Sequence, residues 1–511
     1  TTNNKYIRMI DMRVAIIGMG TAGVSVLREL VKHPKFNQLD IDLYDDKVNM
    51  GQGVPFQNDS SELLINMPSK KMSLNLDDET EFWKWYKQQT DFNFDEPVYL
   101  PRFVFGHYMK SYLSMFTKKY QNISTNYNKF KERYTNSNIE ETNLTYYICT
   151  TNSEQSCQAD DYVFLTCGTF AYHDPYNLKG KKGYIATPYP TYNTLDEVNE
   201  LDDIAIIGTG LASLDVVRYV AAHHPKLPIT MTSRSAHLPS VRGTMIDVTF
   251  KYLTKDKLND IKKHHFGNAP LDTLVSLFLK ECAEYDIDFK KLVHRRTGNH
   301  IADLKYDLAR PTEMGIFQSM IEHLKENLNW IWNSLSIEDQ HQFNQKYSKM
   351  IQLNSNPMPP RTAELIIELI ENKSLILKKD LEDVKHDGKL YYFSYKNQES
   401  VDIYNVVINA TGAKSHLNEL DQDDQLIKNL ENRQIVQAHP MGGIQIIPET
   451  NQVISPRFGT LTNMIAIGQM TNGVNKLRNG VKMIVEQVAH TVSQLYDALE
   501  SNEQQQRSDN Q

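Results

Sequence analysis

A glycine-rich segment occurs twice in this sequence, and the repetition constrains the fold more than any other feature. The first copy is VAIIGMGTAG, residues 14–23, and the second is DIAIIGTGLA, residues 203–212. Each copy begins as a short apolar strand pattern, and a helical pattern follows it over residues 24–31 and 214–221. One copy alone could be a tight turn without a ligand. Two copies of strand, glycine turn and helix predict two dinucleotide sites.

The first copy has a small residue at each position where nucleotide binding requires one. Gly18 permits a tight turn, Gly20 lets the backbone approach a pyrophosphate, and Gly23 lets the helix pack close to the strand. The helix begins at Thr21 and Ala22, where unpaired amides and the positive dipole end stabilise phosphate charge. The corresponding residues of the second copy are Gly208, Gly210 and Ser213.

The residue after the second strand of each unit predicts which nucleotide binds there. The strand over residues 41–44 ends at Asp45, whose carboxylate can accept hydrogen bonds from ribose hydroxyls and would repel a 2′-phosphate. The strand over residues 229–232 ends at Ser233 and Arg234, whose hydroxyl and guanidinium favour a 2′-phosphate. We therefore expect FAD or NAD in the first unit and NADPH, rather than NADH, in the second. Arg234 could instead be a solvated surface charge.

Length and composition indicate a soluble enzyme-sized protein. A chain of 511 residues predicts two or three domains. A net charge of -8, with 40% hydrophobic and 23% charged residues, gives no sign of a nucleic-acid partner. The longest apolar runs are strand-sized, and residues 1–13 lack the apolar core of a signal peptide. We expect a cytoplasmic protein that does not interact with membranes.

The cysteines and histidines argue against two classes of chemistry. Cys149, Cys157, Cys167 and Cys282 form no CxxC or CxxxxC pair of the kind that exchanges electrons with flavin in disulfide reductases, so we expect all four to be reduced and structural. The two histidine doublets, at 223–224 and 264–265, have no acidic or cysteine partners at metal-binding spacing. We expect no metal site.

Other glycine-containing segments are candidates for backbone close to a ligand. Gln52, Gly53 and Val54 lie in a loop after the second strand, which could also be a mobile surface loop. Buried strand patterns then end at Cys167-Gly168 and at Thr411-Gly412, where the chain could cross between two domains near a cofactor or simply stop a strand.

The order of these patterns gives a division of the chain. Residues 245–355 consist of long amphipathic helical stretches, which we interpret as an insertion that shapes a substrate pocket, packing or a homodimer contact being the alternatives. The predicted division is an FAD-binding domain over 1–185 and 401–500, an NAD(P)H-binding domain over 186–244 and 356–400, the insertion over 245–355, and a disordered tail over 501–511.

Several longer segments resemble a known group of proteins. GQGVPF, LLINMPSKKMSL, FWKWY and LPRFVFGHYMKSYL, between residues 51 and 113, are similar to the N-terminal signature of the bacterial FAD/NAD(P)-binding flavoproteins related to flavin-containing and N-hydroxylating monooxygenases. The segments SRS from Ser233, LPSVR ending at Arg242, PPR ending at Arg361, NATG ending at Gly412 and IAIGQMTNG ending at Gly473 also resemble that family. The resemblance covers residues 12–245 and 355–495.

The resemblance implies a fold and a set of cofactor contacts. The fold would be α/β, with two Rossmann-like dinucleotide-binding domains in a glutathione-reductase-like arrangement and a helical insertion. FAD would lie across the first domain, with Asn66, Met67 and Arg102 along its flavin side. Gly468 and Gln469 would meet the ribityl or pyrophosphate, although many flavoproteins have an aspartate where this chain has Gln469. Arg242 is a candidate second contact to the 2′-phosphate, or a solvated charge.

The function implied is an NADPH-dependent flavin monooxygenase that acts with O2 on a small nitrogen or sulfur compound. No catalytic side chain is identified, because the chemistry belongs to the cofactor. A flavin dehydrogenase or reductase that passes electrons to an organic acceptor is the first alternative. A flavin-binding sensor or scaffold without turnover is the second.

Overall fold

The computed structural model describes residues 12–95, 97–128, 138–142, 145–149 and 158–509. The strands are β1 Met12–Ile17, β2 Leu39–Asp46, β3 Ile123–Asn128, β4 Asn138–Thr142, β5 Thr145–Cys149, β6 Gln158–Asp160, β7 Tyr162–Leu165, β8 Tyr184–Ile185, β9 Ile204–Ile207, β10 Ile229–Thr232, β11 Leu375–Lys378, β12 Leu381–His386, β13 Tyr391–Tyr395, β14 Asp402–Tyr404, β15 Val406–Asn409, β16 Gln452–Ser455 and β17 Gly459–Ala466. The helices are α1 Thr21–Lys32, α2 Glu81–Gln88, α3 Arg102–Lys119, α4 Thr191–Thr194, α5 Leu211–His223, α6 Lys255–Lys263, α7 Leu271–Glu284, α8 Phe289–Val293, α9 His300–Leu308, α10 Pro311–Glu326, α11 Leu328–Trp332, α12 Ile337–Phe343, α13 Lys349–Ser355, α14 Pro360–Glu371, α15 Gln425–Asn432 and α16 Val481–Asp509.

The first glycine copy lies at the centre of a six-stranded sheet. Its strand order is β16-β17-β7-β1-β2-β3, and β1 pairs in parallel with both β2 and β7. The strands of this sheet are apolar because helices α1, α3 and α16 cover one face, with Val14, Ile16 and Leu27 among the side chains in the shared core. The carboxyl ends of β1, β2 and β7 therefore meet at one edge, where the glycine turn lies.

The second glycine copy repeats this architecture. The strand order of its sheet is β11-β10-β9-β15-β8, all pairs are parallel, and β9 takes the place that β1 has in the first sheet. Helices α5 and α14 contribute Val216, Val217 and Ile366 to its core. The three-stranded antiparallel sheet β12-β13-β14 follows β11 in the chain. The predicted α/β class with two parallel dinucleotide-binding sheets is confirmed.

The segment predicted to be a helical insertion contains helices α6 to α13 and has its own apolar core, which includes Phe317 and Trp332. Two glycines let it approach the second unit. A Cβ on Gly243 would lie 2.3 Å from the amide nitrogen of Gly315, and one on Gly315 would lie 1.8 Å from the carbonyl oxygen of Thr244. Residues 320–332, within the predicted helical stretches, belong to α10 and α11, which are separated at Asn327, whose amide group donates to the carbonyl oxygen of His323.

Two expectations differ from the structure. Helix α16 continues to Asp509 through the segment predicted to be a disordered tail, and Lys35 Nζ contacts Glu503 at 2.9 Å on that extension. Cys149 is disulfide-bonded, so the prediction that all four cysteines are reduced is wrong for this residue. Cys167 and Cys282 are free and buried, and Cys157 lies outside the described residues. The sequence prediction rested on the absence of CxxC and CxxxxC spacings, which does not exclude other disulfide pairings.

In the part of the chain that the structure describes, no helix is both long and apolar enough to cross a membrane, and no cluster of three or more metal-ligating side chains is found.

Candidate nucleotide-binding site

The N-termini of α1 and α5 have the properties of phosphate sites. The N-cap residues are Gly20 and Gly210, neither of which can satisfy the first amides with a side chain, and no acidic residue lies in the first turn of either helix. The amides and the positive dipole ends are therefore available to an anion. A Cβ on Gly210 would meet no atom within 4 Å, so the space next to this glycine is open.

The first glycine of each copy is required by the strand that crosses next to it. Gly18 has a φ of 98°, and a Cβ there would lie 2.3 Å from the carbonyl oxygen of Thr166 at the end of β7. Gly208 has a φ of 119°, and a Cβ there would lie 2.6 Å from the carbonyl oxygen of Ala410 at the end of β15. The two strand ends that the sequence marks as crossing points thus pack against the two glycine turns.

The loop after β2 lies directly against the first glycine turn. A Cβ on Gly53 would lie 2.9 Å from the Cα of Gly20, and one on Gly20 would lie 3.3 Å from the Cα of Gly53. The two backbones form adjacent walls of the groove at the N-terminus of α1. This position explains the glycine at 53, and the contact argues against a loop that moves independently of the turn.

Both glycine turns open into one cavity of about 1300 Å³. Residues from both units and from the insertion line it, so the units share a single cleft. The predicted site residues that line this cavity are Gly20, Thr21, Ala22, Gly53, Val54, Asn66, Met67, Arg102, Gly168, Gly208, Gly210, Ser233, Arg234, Arg242, Thr411, Gly468 and Gln469.

The remaining predicted site residues do not line this cavity: Gly18, Gly23, Asp45, Gln52, Cys167, Ser213 and Gly412. Asp45 is fully buried, and its carboxylate accepts hydrogen bonds from the backbone amides of Met19 at 2.7 Å and Asp46 at 2.8 Å. It therefore holds the glycine turn against the end of β2. Its contact with a ribose stays a prediction.

Arg102 joins the two nucleotide-binding units. Its guanidinium lies 2.5 Å from the carboxylate of Asp215 on α5, which also accepts a hydrogen bond from the hydroxyl of Tyr189. Burial raises the pKa of Asp215, although the charge of Arg102 opposes the effect. The sequence predicts Arg102 on the flavin side but not its partner. The available signal was a single carboxylate within the apolar stretch of α5.

Arg242 is a buried guanidinium without a carboxylate partner in the described part of the chain. It donates to the carbonyl oxygen of Asn66 at 3.1 Å and contacts the sulfur of Met245 at 3.4 Å. Burial lowers its pKa, an effect that Glu322 opposes. Because it holds the Asn66 turn, Arg242 lies on the predicted flavin side of the cavity. Its contact with a 2′-phosphate stays a prediction.

Ser233 organises the turn that presents Arg234. Its hydroxyl accepts from the amide of Ala236 at 2.8 Å and lies 3.1 Å from the hydroxyl of Thr209, which follows Gly208. The turn is thus tied to the second glycine motif, and the exposed side chain of Arg234 faces the cavity. Further titratable side chains line this cavity and were not predicted from the sequence: Lys71, His173, His237, Glu322, Lys325, Lys349, Glu382 and Lys482.

Comparison with known proteins agrees with this geometry. Residues 15–170 match a family model described as FAD-NAD(P)-binding, which confirms the nucleotide-binding character predicted for the first unit. No curated protein sequence matches the chain. The fold thus has two dinucleotide-binding units, and the first of them matches an FAD-NAD(P)-binding family.

Three solved structures share the fold over nearly the full chain. An ornithine hydroxylase from Pseudomonas aeruginosa has a TM-score of 0.55 at 13% identity, and an L-lysine 6-monooxygenase from Pseudomonas syringae has 0.54 at 12%. An ornithine N-hydroxylase from Kutzneria sp. 744, with reduced FAD, NADP+ and L-ornithine, has 0.53 at 11%. Each comparison covers 96% of this chain and 99% of the other. At these identities the comparisons show that this chain shares the fold of the three enzymes.

Proposed function

We propose that this chain is an FAD-dependent oxidoreductase that uses NADPH and O2 to hydroxylate a small nitrogen- or sulfur-containing compound. The observation that carries the proposal is that two uncapped helix N-termini, at Gly20 and Gly210, open into one cavity of about 1300 Å³. Sites for single small ligands are about 300–1,000 Å³, so this cavity is larger than one such ligand requires.

The residues present fit both nucleotides. The amides at Thr21 and Ala22 would hold the pyrophosphate of FAD, with Gly53 leaving room beside it, and the Asn66-Met67 turn would lie along the flavin. The N-terminus of α5 and the turn at Arg234 would hold NADPH. When bound, FAD supplies electron transfer from NADPH and reaction with O2, while the protein supplies position, electrostatics and exclusion of water.

The insertion forms part of the cavity wall. Glu322 and Lys325 of α10 line it and lie 3.4 Å apart, and Trp332 in the insertion core donates to the carbonyl oxygen of Gly473 at 2.7 Å. These contacts support a role of the insertion in excluding water. The solved structures that share the fold are named for amine substrates, which favours nitrogen over sulfur as the hydroxylated atom.

The test is to follow NADPH oxidation by the FAD-loaded protein across a panel of amines, amino acids and thiols. Oxygen uptake, peroxide release and product mass are recorded together. We expect one class of compound to raise NADPH oxidation, to lower peroxide release and to gain one oxygen atom. Oxidation that continues without O2 when an organic acceptor is added would show a dehydrogenase, and NADPH oxidation unaffected by any compound would contradict the proposal.

The nucleotide preference has its own test. Arg234→Ala should raise the KM for NADPH about ten- to a hundredfold and change that for NADH little, since a charge-assisted phosphate contact contributes about 1.5–3 kcal/mol. Equal losses with both nucleotides would contradict the assignment of Arg234.

A further inference from the structure

The helical insertion reaches the nucleotide end of the cavity as well as the substrate end. Helix α13 runs along the cavity, and Lys349, Gln352 and Leu353 from it line the same space as Arg234. The carbonyl oxygen of Leu353 accepts hydrogen bonds from the amide and the hydroxyl of Ser240, at 2.9 and 2.7 Å. These bonds fix α13 against the segment that follows Arg234.

The side chains where α13 meets this segment are predominantly basic. Partial loss of hydration and the positive charges of Arg234 and Arg296 lower the pKa of Lys349. Burial and the charges of Arg296 and Lys349 likewise lower the pKa of His237. Arg234, His237, Arg296 and Lys349, from three segments of the chain, therefore act on one another's charge, and a bound anion would relieve this repulsion.

The charges in this cluster are not neutralised internally. Arg295 forms a two-bond ion pair with Asp307, at 2.8 and 3.1 Å, whereas the neighbouring Arg296 donates to the carbonyl oxygen of Leu238. Within the described residues, neither Lys349 nor Arg234 forms an ion pair. Glu382 also lines the cavity but pairs with neither of them.

We propose that Lys349 of the insertion binds the 2′-phosphate of NADPH together with Arg234. This inference rests on the proposed function, since it takes NADPH as the nucleotide of the second unit. The insertion then contributes to the choice between NADPH and NADH. The sequence alone assigns this choice only to residues of the second glycine unit and to Arg242. A dianionic phosphate bound by both side chains would supply the anionic partner that neither cation has within the described residues.

The test measures binding to the FAD-loaded full chain without turnover. The probes are 2′,5′-ADP and 5′-AMP, which differ only in the 2′-phosphate, and affinity is measured by calorimetric titration. Lys349→Ala should weaken 2′,5′-ADP binding about tenfold and leave 5′-AMP binding unchanged, because a charged contact contributes at least about this factor. Lys349→Arg should retain most of the affinity. The matched control is Lys346→Ala, an exposed lysine one turn earlier that does not line the cavity.

The outcomes separate this inference from the proposed function. A Lys349→Ala variant that binds 2′,5′-ADP within twofold of the parent, or that loses both probes equally, overturns the inference even if the parent oxidises NADPH and hydroxylates an amine. A selective loss of 2′,5′-ADP affinity supports it even if no compound is hydroxylated. Unchanged FAD content in all variants establishes that each is folded.

Discussion

Gly53 and Gly180 both have a positive φ, of 74° and 85°, but different surroundings. A Cβ on Gly53 would press on the Cα of Gly20 in the groove at the N-terminus of α1, whereas one on Gly180 would meet no atom within 4 Å. An alanine is strained at both positions, and more so at Gly53, whose ψ of 164° places it in a region that essentially only glycine adopts. Flavin retention, rather than stability, is therefore the property that distinguishes the two variants.

We expect Gly53→Ala to lose most bound FAD and Gly180→Ala to keep it, although both lower the melting temperature. The measurement is the ratio of flavin to protein absorbance after desalting. Equal flavin retention by the two variants would contradict the assignment of Gly53 to the flavin groove.

Asp160 is a second residue whose surroundings determine its behaviour. It is fully buried beside Asp42, and neither of its carboxyl oxygens accepts a hydrogen bond from a donor in the described structure. Burial, then the adjacent Asp42, raises the pKa of Asp160 to about 9, although Arg13 opposes this. The folded protein therefore keeps a proton here that the unfolded chain releases near pH 3.9. This contribution to stability is complete below pH 3.9 and is lost as the pH rises toward 9.

Asp160→Asn should therefore raise the melting temperature at pH 8 and have much less effect at pH 4.5, because the amide is neutral at both and can donate to Asp42. Thermal denaturation at the two pH values, with the exposed Asp77→Asn as the control, measures the difference. A shift of the same size at both pH values would contradict the account of the Asp42–Asp160 pair.

At the scale of elements, the packing of the insertion depends on the crossing at Gly243 and Gly315. Gly315 lies inside α10, where alanine is intrinsically favoured over glycine by about 1 kcal/mol. A Cβ there would lie 1.8 Å from the carbonyl oxygen of Thr244, so the backbone would have to move. Overpacking of this kind costs about 1–3 kcal/mol, which outweighs the gain in helix propensity.

Gly315→Ala should thus lower the melting temperature and expose residues 245–355 to limited proteolysis. Ser276→Ala, at an exposed position of α7 in the same insertion, should do neither. A stabilised Gly315→Ala variant would contradict the close crossing.

The local sequence predicted the strands and glycine turns more completely than the side-chain contacts between distant segments. The strands β1 and β9, their glycine turns and the crossing strands were predictable because each signal lies within a few adjacent residues. The Arg102–Asp215 pair was not, because its members are 113 positions apart and meet only when the two units dock. Lys349 was missed for the same reason: a lysine in a helical segment is usually solvated, and only the fold brings it to the nucleotide cavity.

At the scale of the molecule, electron transfer between two bound coenzymes requires that the two nucleotide-binding units keep a fixed distance and orientation. Arg102 of α3 and Asp215 of α5 connect them through an ion pair in which Asp215 is buried and Arg102 is partly exposed to the cavity. Removing one member of a buried pair costs about 3–5 kcal/mol, and the exposure of Arg102 places the cost here at or below the lower end, whereas replacing both by apolar residues is often close to neutral. Single and double variants of this pair therefore measure how much it contributes to the contact between the two units.

We expect Asp215→Leu to lower the melting temperature strongly and the double variant Arg102→Met/Asp215→Leu to recover most of the loss. Losses that simply add would contradict a direct interaction between the two side chains.

In the proposed function, two coenzymes bound in one cavity exchange electrons. Anaerobic rapid mixing of FAD-loaded protein with NADPH tests this exchange most directly. The arrangement predicts that the absorbance of oxidised flavin disappears within one turnover, faster with NADPH than with NADH. Protein that takes up no FAD on reconstitution, or bound FAD that stays oxidised in excess NADPH, would contradict it.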